Sequence, residues 1–324
     1  MKKITVIIFT YKRAMLLHNC LETLISNFKN IDSSIHIIYH ADKAHESSYE
    51  KLKENFKNHN IKFHKRKKEN LFSWIFKLLR PLNLLWLLRW PIIFKEMNNF
   101  KNILENILEQ TSNDFVTLCP DDMIYFDKTV IPESALKKIS ENPSKFQYRY
   151  FTGDNFKKPH NLSKNLNITY FKELNDENYF LWSFKDRHAS GVWKYRFTIE
   201  GTVYERSALL KFLRPFIYHN PITLEAIGLW EARFRDFFYK GLSSSRRTAA
   251  TYQVNNVQTI VNTPSANFDA NILMKAYINN YKLLYEKNDF YKNEHDTTPE
   301  KLKFINTHNL EEIDYKKLKE KFNN

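Results

Sequence analysis

Two adjacent carboxylates, Asp121 and Asp122, are the residues of this sequence best placed to do chemistry. They follow the apolar run 115–119, which is rich in β-favouring residues and is ended by Pro120. Carboxylate oxygens suit a hard divalent cation, which proteins usually hold with one or two carboxylates together with substrate phosphates. The alternative is a turn with solvated carboxylates, because aspartate is also common in turns.

The elements that must position these acids predict an α/β fold. Residues 4–9 form an apolar run of strand length, and residues 17–28 place apolar side chains at helical spacing. Shorter strands are predicted at 35–39 and 61–63, with helices between and after them. Alternating strands and helices indicate a doubly wound, mostly parallel sheet. Such sheets bind ligands beyond the carboxyl ends of their strands, where Asp121 and Asp122 are expected.

Composition limits the class of protein. A chain of 324 residues with 43% apolar residues allows one large or two ordinary domains. Two cysteines, Cys20 and Cys119, cannot build a disulfide framework and are predicted to be buried thiols, which indicates a reducing, cytoplasmic setting. The first apolar run is too short for a signal peptide. The net charge of +14 implies an anionic partner without choosing among nucleic acid, anionic lipid and phosphorylated substrates.

The glycines exclude several nucleotide-binding classes. All five lie between positions 153 and 241, so none follows the early strands. This argues against a dehydrogenase, a P-loop NTPase and a nucleotidyltransferase with a glycine-rich first loop. A metal ion is then the expected partner of a substrate phosphate.

The order of these parts resembles the GT-A-fold nucleotide-sugar glycosyltransferases of the family 2 type. Residues 4–13 match the first strand and loop of that family, Asp42 follows the second strand, and Asp121-Asp122 match the acidic metal motif. Residues 200–204 and the Asn-Pro-x-x-Leu-Glu pattern at 220–225 resemble later segments of the family. The family commonly shows three acidic positions or an Asp-x-Asp, and here Pro120 occupies the first position.

The resemblance implies roles for residues around the first strand and the acidic motif. Thr10 and Arg13 would line the nucleotide pocket, and Asp42 would accept a hydrogen bond from the base. Asp122 and Asp121 would hold Mg²⁺ or Mn²⁺, with a ribose contact as the other role for Asp121. The alternatives are a solvated loop cation for Arg13 and a turn residue for Asp42.

The acceptor half supplies candidates for the base and for a diphosphate clamp. Glu225 is predicted to remove the acceptor proton, because an apolar setting would raise its pKa, and Glu231 is the reserve. The alternative for Glu225 is a first-turn glutamate stabilised by the helix dipole. Arg246 and Arg247 could neutralise a departing diphosphate, or could be solvated loop residues.

We therefore expect one continuous catalytic domain. Residues 1–130 form the nucleotide-sugar-binding half with an insert at 70–97, residues 131–293 form the acceptor-side half, and residues 294–324 form a charged, peripheral tail. The implied function is inverting, metal-assisted transfer of a sugar from a nucleotide-diphosphate sugar to a glycan or lipid-linked acceptor in polysaccharide biosynthesis. The alternatives are a polyanion or nucleic-acid binder, suggested by the basic run 62–68 and 15% aromatic residues, and a phosphotransferase that uses the same acids.

The insert contains the apolar stretch 71–94, with Trp74, Trp86 and Trp90. Three cations and two prolines interrupt it, which argues against a membrane-spanning helix. Its tryptophans and the preceding cations instead predict peripheral attachment to the inner face of the cell membrane. A core or dimer-forming helical hairpin is the equal alternative.

Overall fold

The computed structural model describes most of the chain outside the insert. The described residues are 2–69, 98–153, 172–173, 179–187, 189, 191–255, 266, 268–287, 290, 299 and 301–323. The insert predicted at 70–97 lies outside them, as does the apolar stretch within it. Within the described ranges, no helix combines the length and the apolar character needed to cross a bilayer.

Strands and helices alternate through the first half of the chain, as the sequence predicts. The strands are β1 (Ile4–Tyr11), β2 (Ile31–His40), β3 (Ile61–Lys65), β4 (Phe115–Pro120), β5 (Met123–Tyr125), β6 (Phe146–Arg149), β7 (Lys172–Glu173), β8 (Phe180–Ser183), β9 (Thr202–Glu205), β10 (Lys240–Ser243), β11 (Ala249–Thr251), β12 (Tyr281–Leu284), β13 (Lys303–Asn306) and β14 (Glu312–Asp314). The helices are α1 (Ala14–Asn27), α2 (Glu46–Asn55), α3 (Phe100–Gln110), α4 (Glu133–Glu141), α5 (Arg206–Leu213), α6 (Pro221–Phe234), α7 (Ala270–Ile278) and α8 (Tyr315–Phe322).

The main sheet has the order β3-β2-β1-β4-β9-β6-β10-β8-β7. The first four of these strands are mutually parallel, whereas β9 and β8 run against their neighbours. The doubly wound, mostly parallel sheet predicted from the sequence is therefore confirmed. The chain moves outward from β1 through β2 to β3 and then returns to place β4 on the other side of β1. This reversal opens a crevice beyond the carboxyl ends of β1 and β4, the usual ligand site of such sheets.

Side chains of β1 alternate between two hydrophobic cores because successive residues of a strand point to opposite faces. Ile4, Val6 and Ile8 belong to the core that includes α1 and α2, and Ile7 and Phe9 to the core that includes α3 and α5. Strand β4 is buried in the same way on both faces. Burial on both faces explains why these two strands read as continuous apolar runs.

Helix α6 begins with a complete cap that fixes its direction. The Asn220 side chain accepts from the Thr223 N–H, and the Thr223 hydroxyl accepts from the Asn220 N–H. Such reciprocal capping satisfies two backbone donors that a helix start leaves free. Gly228 then lets the helix approach the ring of Phe197, because a Cβ there would lie 2.4 Å from that ring.

The end of the chain differs from the peripheral tail expected at 294–324. Strand β13 pairs with β12 and with β14, and α8 contacts α7. Leu302, Phe304 and Leu318 are fully buried in the same core as α1. Apolar residues spaced through a charged segment account for this packing, because a few buried side chains suffice to dock short elements. The expected boundaries at 130 and 293 stay predictions.

A stacked histidine pair between β2 and β3, in which His36 is buried and His64 half-buried, predicts acid sensitivity. His36 and His64 stack with ring centroids 5.2 Å apart, and burial together with His64 and Lys62 lowers the pKa of His36 to about 4. The folded state therefore binds this proton less readily than the unfolded chain, whose histidines titrate near 6.5. The contribution to stability is complete above about pH 6.5 and is lost as the pH falls toward 4.

Between pH 7.5 and 4, the free energy of unfolding is expected to fall by about 2 kcal/mol less in His36→Phe than in the parent. The free energy of unfolding is measured by urea titration between pH 7.5 and 4 for the parent and the variant. Parallel pH curves for the two proteins would contradict the assignment.

Candidate active site

Arg13 joins the two carboxylates at the carboxyl edge of the parallel strands. Its Nη1 donates to Asp121 Oδ1 at 3.1 Å and to Asp122 Oδ2 at 2.9 Å. The exposed fractions of the three side chains are only 9%, 4% and 9%, in the order Arg13, Asp121, Asp122. Because β1 and β4 are parallel neighbours, the loops that follow them meet at one edge and bring this cation to these acids. The acids are thus buried and partnered, unlike a solvated turn.

The loop between β1 and α1 holds Arg13 in place. Lys12 has a φ of +57°, an uncommon conformation for a residue with a side chain. The hydroxyl of Tyr49 accepts from the Arg13 N–H at 3.3 Å and shares a hydrogen bond of 2.8 Å with the Thr10 hydroxyl. Tyr49 is fully buried and lies on α2. Sequence reasoning missed it, because nothing local to this polar segment shows that its one tyrosine reaches the loop after β1.

Burial shapes the proton affinities of the acids. It raises the pKa of Asp122 to about 6, with Asp121 adding to the effect and Arg13 opposing it. Burial also raises the pKa of Asp121, although Arg13 and the Thr10 hydroxyl favour its charged form. Burial disfavours the Arg13 cation too, but the two carboxylates outweigh it and raise the pKa of the guanidinium. Two carboxylates thus share one fixed cation, and the site favours a further positive charge.

Several buried polar atoms of this cluster lack a hydrogen-bond partner among the described residues. They are Asp121 Oδ2, Asp122 Oδ1, Arg13 Nε and both amide atoms of Asn255. Asn255 is 3% exposed, and its carbonyl accepts from Arg13 Nη2. Buried polar groups are normally paired, so these atoms identify a place where a polar ligand would complete the bonding. Asn255 was missed because 242 residues separate it from Arg13.

Asp42 lies at the same edge of the sheet but has partners of its own. Its Oδ2 is 2.6 Å from Lys12 Nζ, and its Oδ1 accepts from the His45 N–H at 3.0 Å. The hydrogen bond from Lys12 is the largest cause of a lowered pKa, and His45 acts in the same direction. The side chain of Asp42 is 44% exposed. Its contact with a nucleotide base stays a prediction.

Glu225 reaches the same edge through the loop that precedes β9. This strand runs antiparallel to β4 with Thr202 opposite Leu118, so the loop before it adjoins the acids after β4. Glu225 Oε1 accepts from the Thr198 hydroxyl at 2.5 Å and from the Ile199 N–H at 3.2 Å. Burial raises the pKa of this half-buried glutamate, although Thr198 and Ile199 oppose the shift. A raised pKa suits a group that must accept a proton near neutral pH.

Two other glutamates differ in their placement. Glu231 lies six residues further along α6, about 9 Å from Glu225 along the axis and on another face. It is half-buried, and burial raises its pKa. Glu200 is half-exposed in the loop before β9 and precedes Gly201, whose φ is +48°. Sequence reasoning gave Glu200 no role, although a glutamate beside a glycine at a strand start was a usable signal.

Arg246 and Arg247 occupy unlike environments after β10. Arg246 is exposed, whereas Arg247 is 2% exposed and its Nη2 donates to the Phe290 carbonyl at 3.0 Å. The loop packs closely on Gly153, where a Cβ would lie 2.3 Å from the Arg247 nitrogen. The diphosphate clamp assigned to this pair stays a prediction.

The basic run at 62–68 is partly engaged within the chain. Lys65 Nζ lies 2.5 Å from Glu46 Oε2, and Arg66 Nη2 donates to the His219 carbonyl at 3.2 Å. Arg66 also lies over the Phe100 ring, 5.5 Å from its centroid. A polyanion-binding surface needs cations that face solvent, so these contacts leave fewer of them for such a partner.

The cluster can be tested for its fit to a divalent cation. No group of three or more His, Cys, Asp or Glu in the described residues could hold a metal by itself. Asp121 Oδ2 and Asp122 Oδ1 are nonetheless buried carboxylate oxygens with no partner in the part of the chain that the structure describes, while Arg13 donates to the other oxygen of each acid. Two carboxylate oxygens completed by substrate phosphates are a usual set for Mg²⁺. The residues therefore fit a cation that binds together with a phosphate ligand.

Comparisons with known proteins give structural likenesses only. Neither the protein-family models nor the curated proteins contain a match to this chain. Solved structures that resemble it include S. aureus TarS residues 1–349 in complex with UDP-GlcNAc, at 12% identity and a TM-score of 0.44, covering 85% of this chain and 65% of that one. The complex of the same protein with UDP shows 15% identity and a TM-score of 0.42, with 76% and 59% covered.

Mouse xyloside xylosyltransferase 1 is a further likeness, at 10% identity and a TM-score of 0.29, covering 73% of this chain and 76% of that one. These neighbours are nucleotide-sugar glycosyltransferases, the class expected from the sequence. At such identities and scores the likeness concerns the fold alone. The chain spans between 37% and 65% of the TarS chains that it resembles.

Proposed function

We propose that this chain is a glycosyltransferase that uses a nucleotide-diphosphate sugar. The observation that carries the proposal is the buried cluster of Arg13, Asp121 and Asp122 at the reversal point of the sheet. The cluster brings a guanidinium together with two carboxylate oxygens that have no hydrogen-bond partner within the described ranges. A nucleotide diphosphate with a bound cation offers complementary charges to both.

The residues of the cluster would divide the work of binding the donor. Arg13 can turn from the carboxylates toward a phosphate, because guanidinium groups pair with either anion. The amide of Asn255, which has no partner among the described residues, would hydrogen-bond to the donor beside it. Asp121 and Asp122 would hold Mg²⁺ or Mn²⁺, which when bound neutralises charge on the diphosphate leaving group. Thr10 and Tyr49 keep the Arg13 loop in position.

The acceptor chemistry falls to a carboxylate at the same edge. In the proposed inverting reaction, an acceptor hydroxyl oxygen bonds to the anomeric carbon as the bond to the diphosphate breaks. Glu225 takes the hydroxyl proton, and its raised pKa makes it a competent base near neutral pH. Hydrogen bonds from Thr198 and Ile199 to Oε1 fix the orientation of the carboxylate. The acceptor is a glycan or a lipid-linked sugar in polysaccharide biosynthesis.

A thermal-shift screen of nucleotide diphosphates, with and without Mn²⁺, tests this proposal. The panel contains UDP, UDP-GlcNAc, GDP, ADP and CDP. We expect the nucleotides with one particular nucleobase to raise the melting temperature by several degrees, because ligands that bind the native state stabilise it. Mn²⁺ should enlarge that shift. The Asp122→Asn variant should lose the part that depends on Mn²⁺. If no nucleotide of the panel raises the melting temperature, the alternative of a polyanion-binding protein is favoured.

We also propose a cytoplasmic protein that attaches peripherally to the inner membrane face through residues 70–97. The support is the sequence alone, namely three tryptophans close to a cluster of lysines. Co-sedimentation with anionic and neutral liposomes compares the parent with a variant in which Trp74, Trp86 and Trp90 are serine. Preferential binding of the parent to anionic liposomes is expected. Equal binding by both proteins would favour the alternative, a core or dimer-forming helical hairpin.

A further inference from the structure

A cavity of about 830 Å³ opens between the ends of α1 and α2 and the start of β12. Its volume lies in the range of small-molecule sites, roughly 300–1,000 Å³. Helix α1 connects it to the candidate active site: Arg13 precedes the helix, and Glu22 lines the cavity about 13 Å further along the axis. None of the residues assigned above to the donor or acceptor lines it. The cavity is therefore a separate feature of the molecule.

The lining carries more positive than negative charge. Lys51, Lys282 and Lys287 face a single carboxylate, Glu22, whose oxygen lies 2.5 Å from Lys282 Nζ. His18 Nε2 lies 3.1 Å from the same oxygen. Against the cost of burial, these neighbours lower the pKa of Glu22 to about 2, so the carboxylate stays charged and occupies Lys282. Lys51 and Lys287 then have no carboxylate partner among the described residues that line the cavity.

These two lysines are held in different ways. Lys51 Nζ donates to the Ile278 carbonyl at 2.8 Å and to Asn280 Oδ1 at 2.5 Å, which fixes its position with neutral acceptors. Burial lowers the pKa of Lys51, the sign of a cation whose charge is not matched nearby. Lys287 is exposed and makes no ion pair with the described residues. Together they offer two positive charges to a ligand.

The other residues that line the cavity suit a ligand rich in hydroxyl groups rather than an apolar ligand. The half-buried Tyr285 provides ring surface, and Asn55 provides an amide. The hydroxyls of Ser26 and Thr307 donate to backbone carbonyls and can accept hydrogen bonds from a ligand. Sugars are bound in proteins by this mixture of rings and polar groups, because they present both C–H faces and hydroxyls. A dianionic phosphate on such a body would match the two unpaired lysines.

We propose that this cavity binds a phosphomonoester of a sugar, at a site separate from the donor site. The phosphate would lie between Lys51 and Lys287, and the sugar would lie toward Tyr285. Glu22 opposes the ligand by repelling its charge and by occupying Lys282. Removing that carboxylate should therefore strengthen binding, a sign that a purely structural role for Glu22 would not give.

Isothermal titration calorimetry with glucose 1-phosphate tests the proposal. The Lys51→Gln/Lys287→Gln variant is expected to bind at least about 10-fold more weakly than the parent, and Glu22→Gln about threefold more tightly. The control Lys137→Gln/Lys319→Gln removes two positive charges from exposed sites outside the cavity and should stay within about twofold of the parent. Glucose without phosphate should not bind measurably.

The results separate this site from the proposed donor site. Asp122→Asn should keep the affinity for glucose 1-phosphate, because Asp122 does not line the cavity. If the thermal-shift screen finds no nucleotide that binds, the calorimetry of the lysine variant therefore still tests this cavity. Maltoheptaose 1-phosphate distinguishes a free sugar phosphate from the phosphorylated end of a glycan. Binding of this longer oligosaccharide indicates the end of a glycan, and its failure to bind where glucose 1-phosphate binds indicates a free sugar phosphate. No binding by the parent, equal loss in the control, or weaker binding by Glu22→Gln would overturn the proposal.

Discussion

Replacing Asp122 by Asn is expected to lower sugar transfer at least about 100-fold while leaving the fold intact. The amide can still accept a hydrogen bond from Arg13, which already contacts Asp121, so the buried cation keeps its partners. The substitution removes one of the two negative charges that attract a cation to the site. Binding of the metal with the diphosphate, and with it the stabilisation of the leaving group, should therefore fail.

Release of the nucleotide diphosphate from a purified donor and acceptor measures the effect, and the melting temperature checks the fold. Asp127→Asn is the matched control, because it makes the same chemical change five residues later, where the carboxylate accepts from the N–H of Lys128 and contacts none of the site residues described above. Near-normal turnover in Asp122→Asn would show that the metal assignment is wrong.

Replacing Glu225 by Gln is expected to lower turnover by about 100-fold or more and to leave donor affinity unchanged. The amide retains the shape of the side chain and can accept from Thr198 and Ile199, so the loop before β9 keeps its anchor. It cannot take a proton from the acceptor hydroxyl. Since that transfer occurs only in the reaction, the loss should fall on the rate and spare the binding of the donor.

Calorimetry with the donor and turnover assays are run together on Glu225→Gln, Glu200→Gln and Glu231→Gln. Loss of turnover in Glu225→Gln alone supports its role as the base. A loss confined to Glu200→Gln would move the role to the loop before β9, and one confined to Glu231→Gln would move it along α6. Loss of both donor binding and turnover in Glu225→Gln would indicate a structural role instead.

The sequence by itself determined the alternating strands and helices of the first half of the chain and the parallel part of the sheet. Residues 4–9 and 115–119 read as buried strands because each is covered on both faces, and the structure places them side by side. The position of Asp121 and Asp122 at the end of β4 followed from the same run and from Pro120. The burial of Cys20 and Cys119 as free thiols was also predicted and is confirmed. These features depend on local patterns of side chains along one element.

Tertiary structure decided which residues meet at the site. In sequence, Arg13 is separated from Asp121 by 108 positions and from Asp122 by 109. Its contact with Asn255 spans 242 positions. Glu225 reaches the same edge only because β9 runs antiparallel to β4 and its preceding loop hydrogen-bonds to α6. The placement of β4 beside β1 sets the contacts of Arg13 with the acids, and the placement of β9 beside β4 sets the position of Glu225. A hydrophobic period records which face of an element is buried but not which element lies against it, so no local pattern could have supplied them.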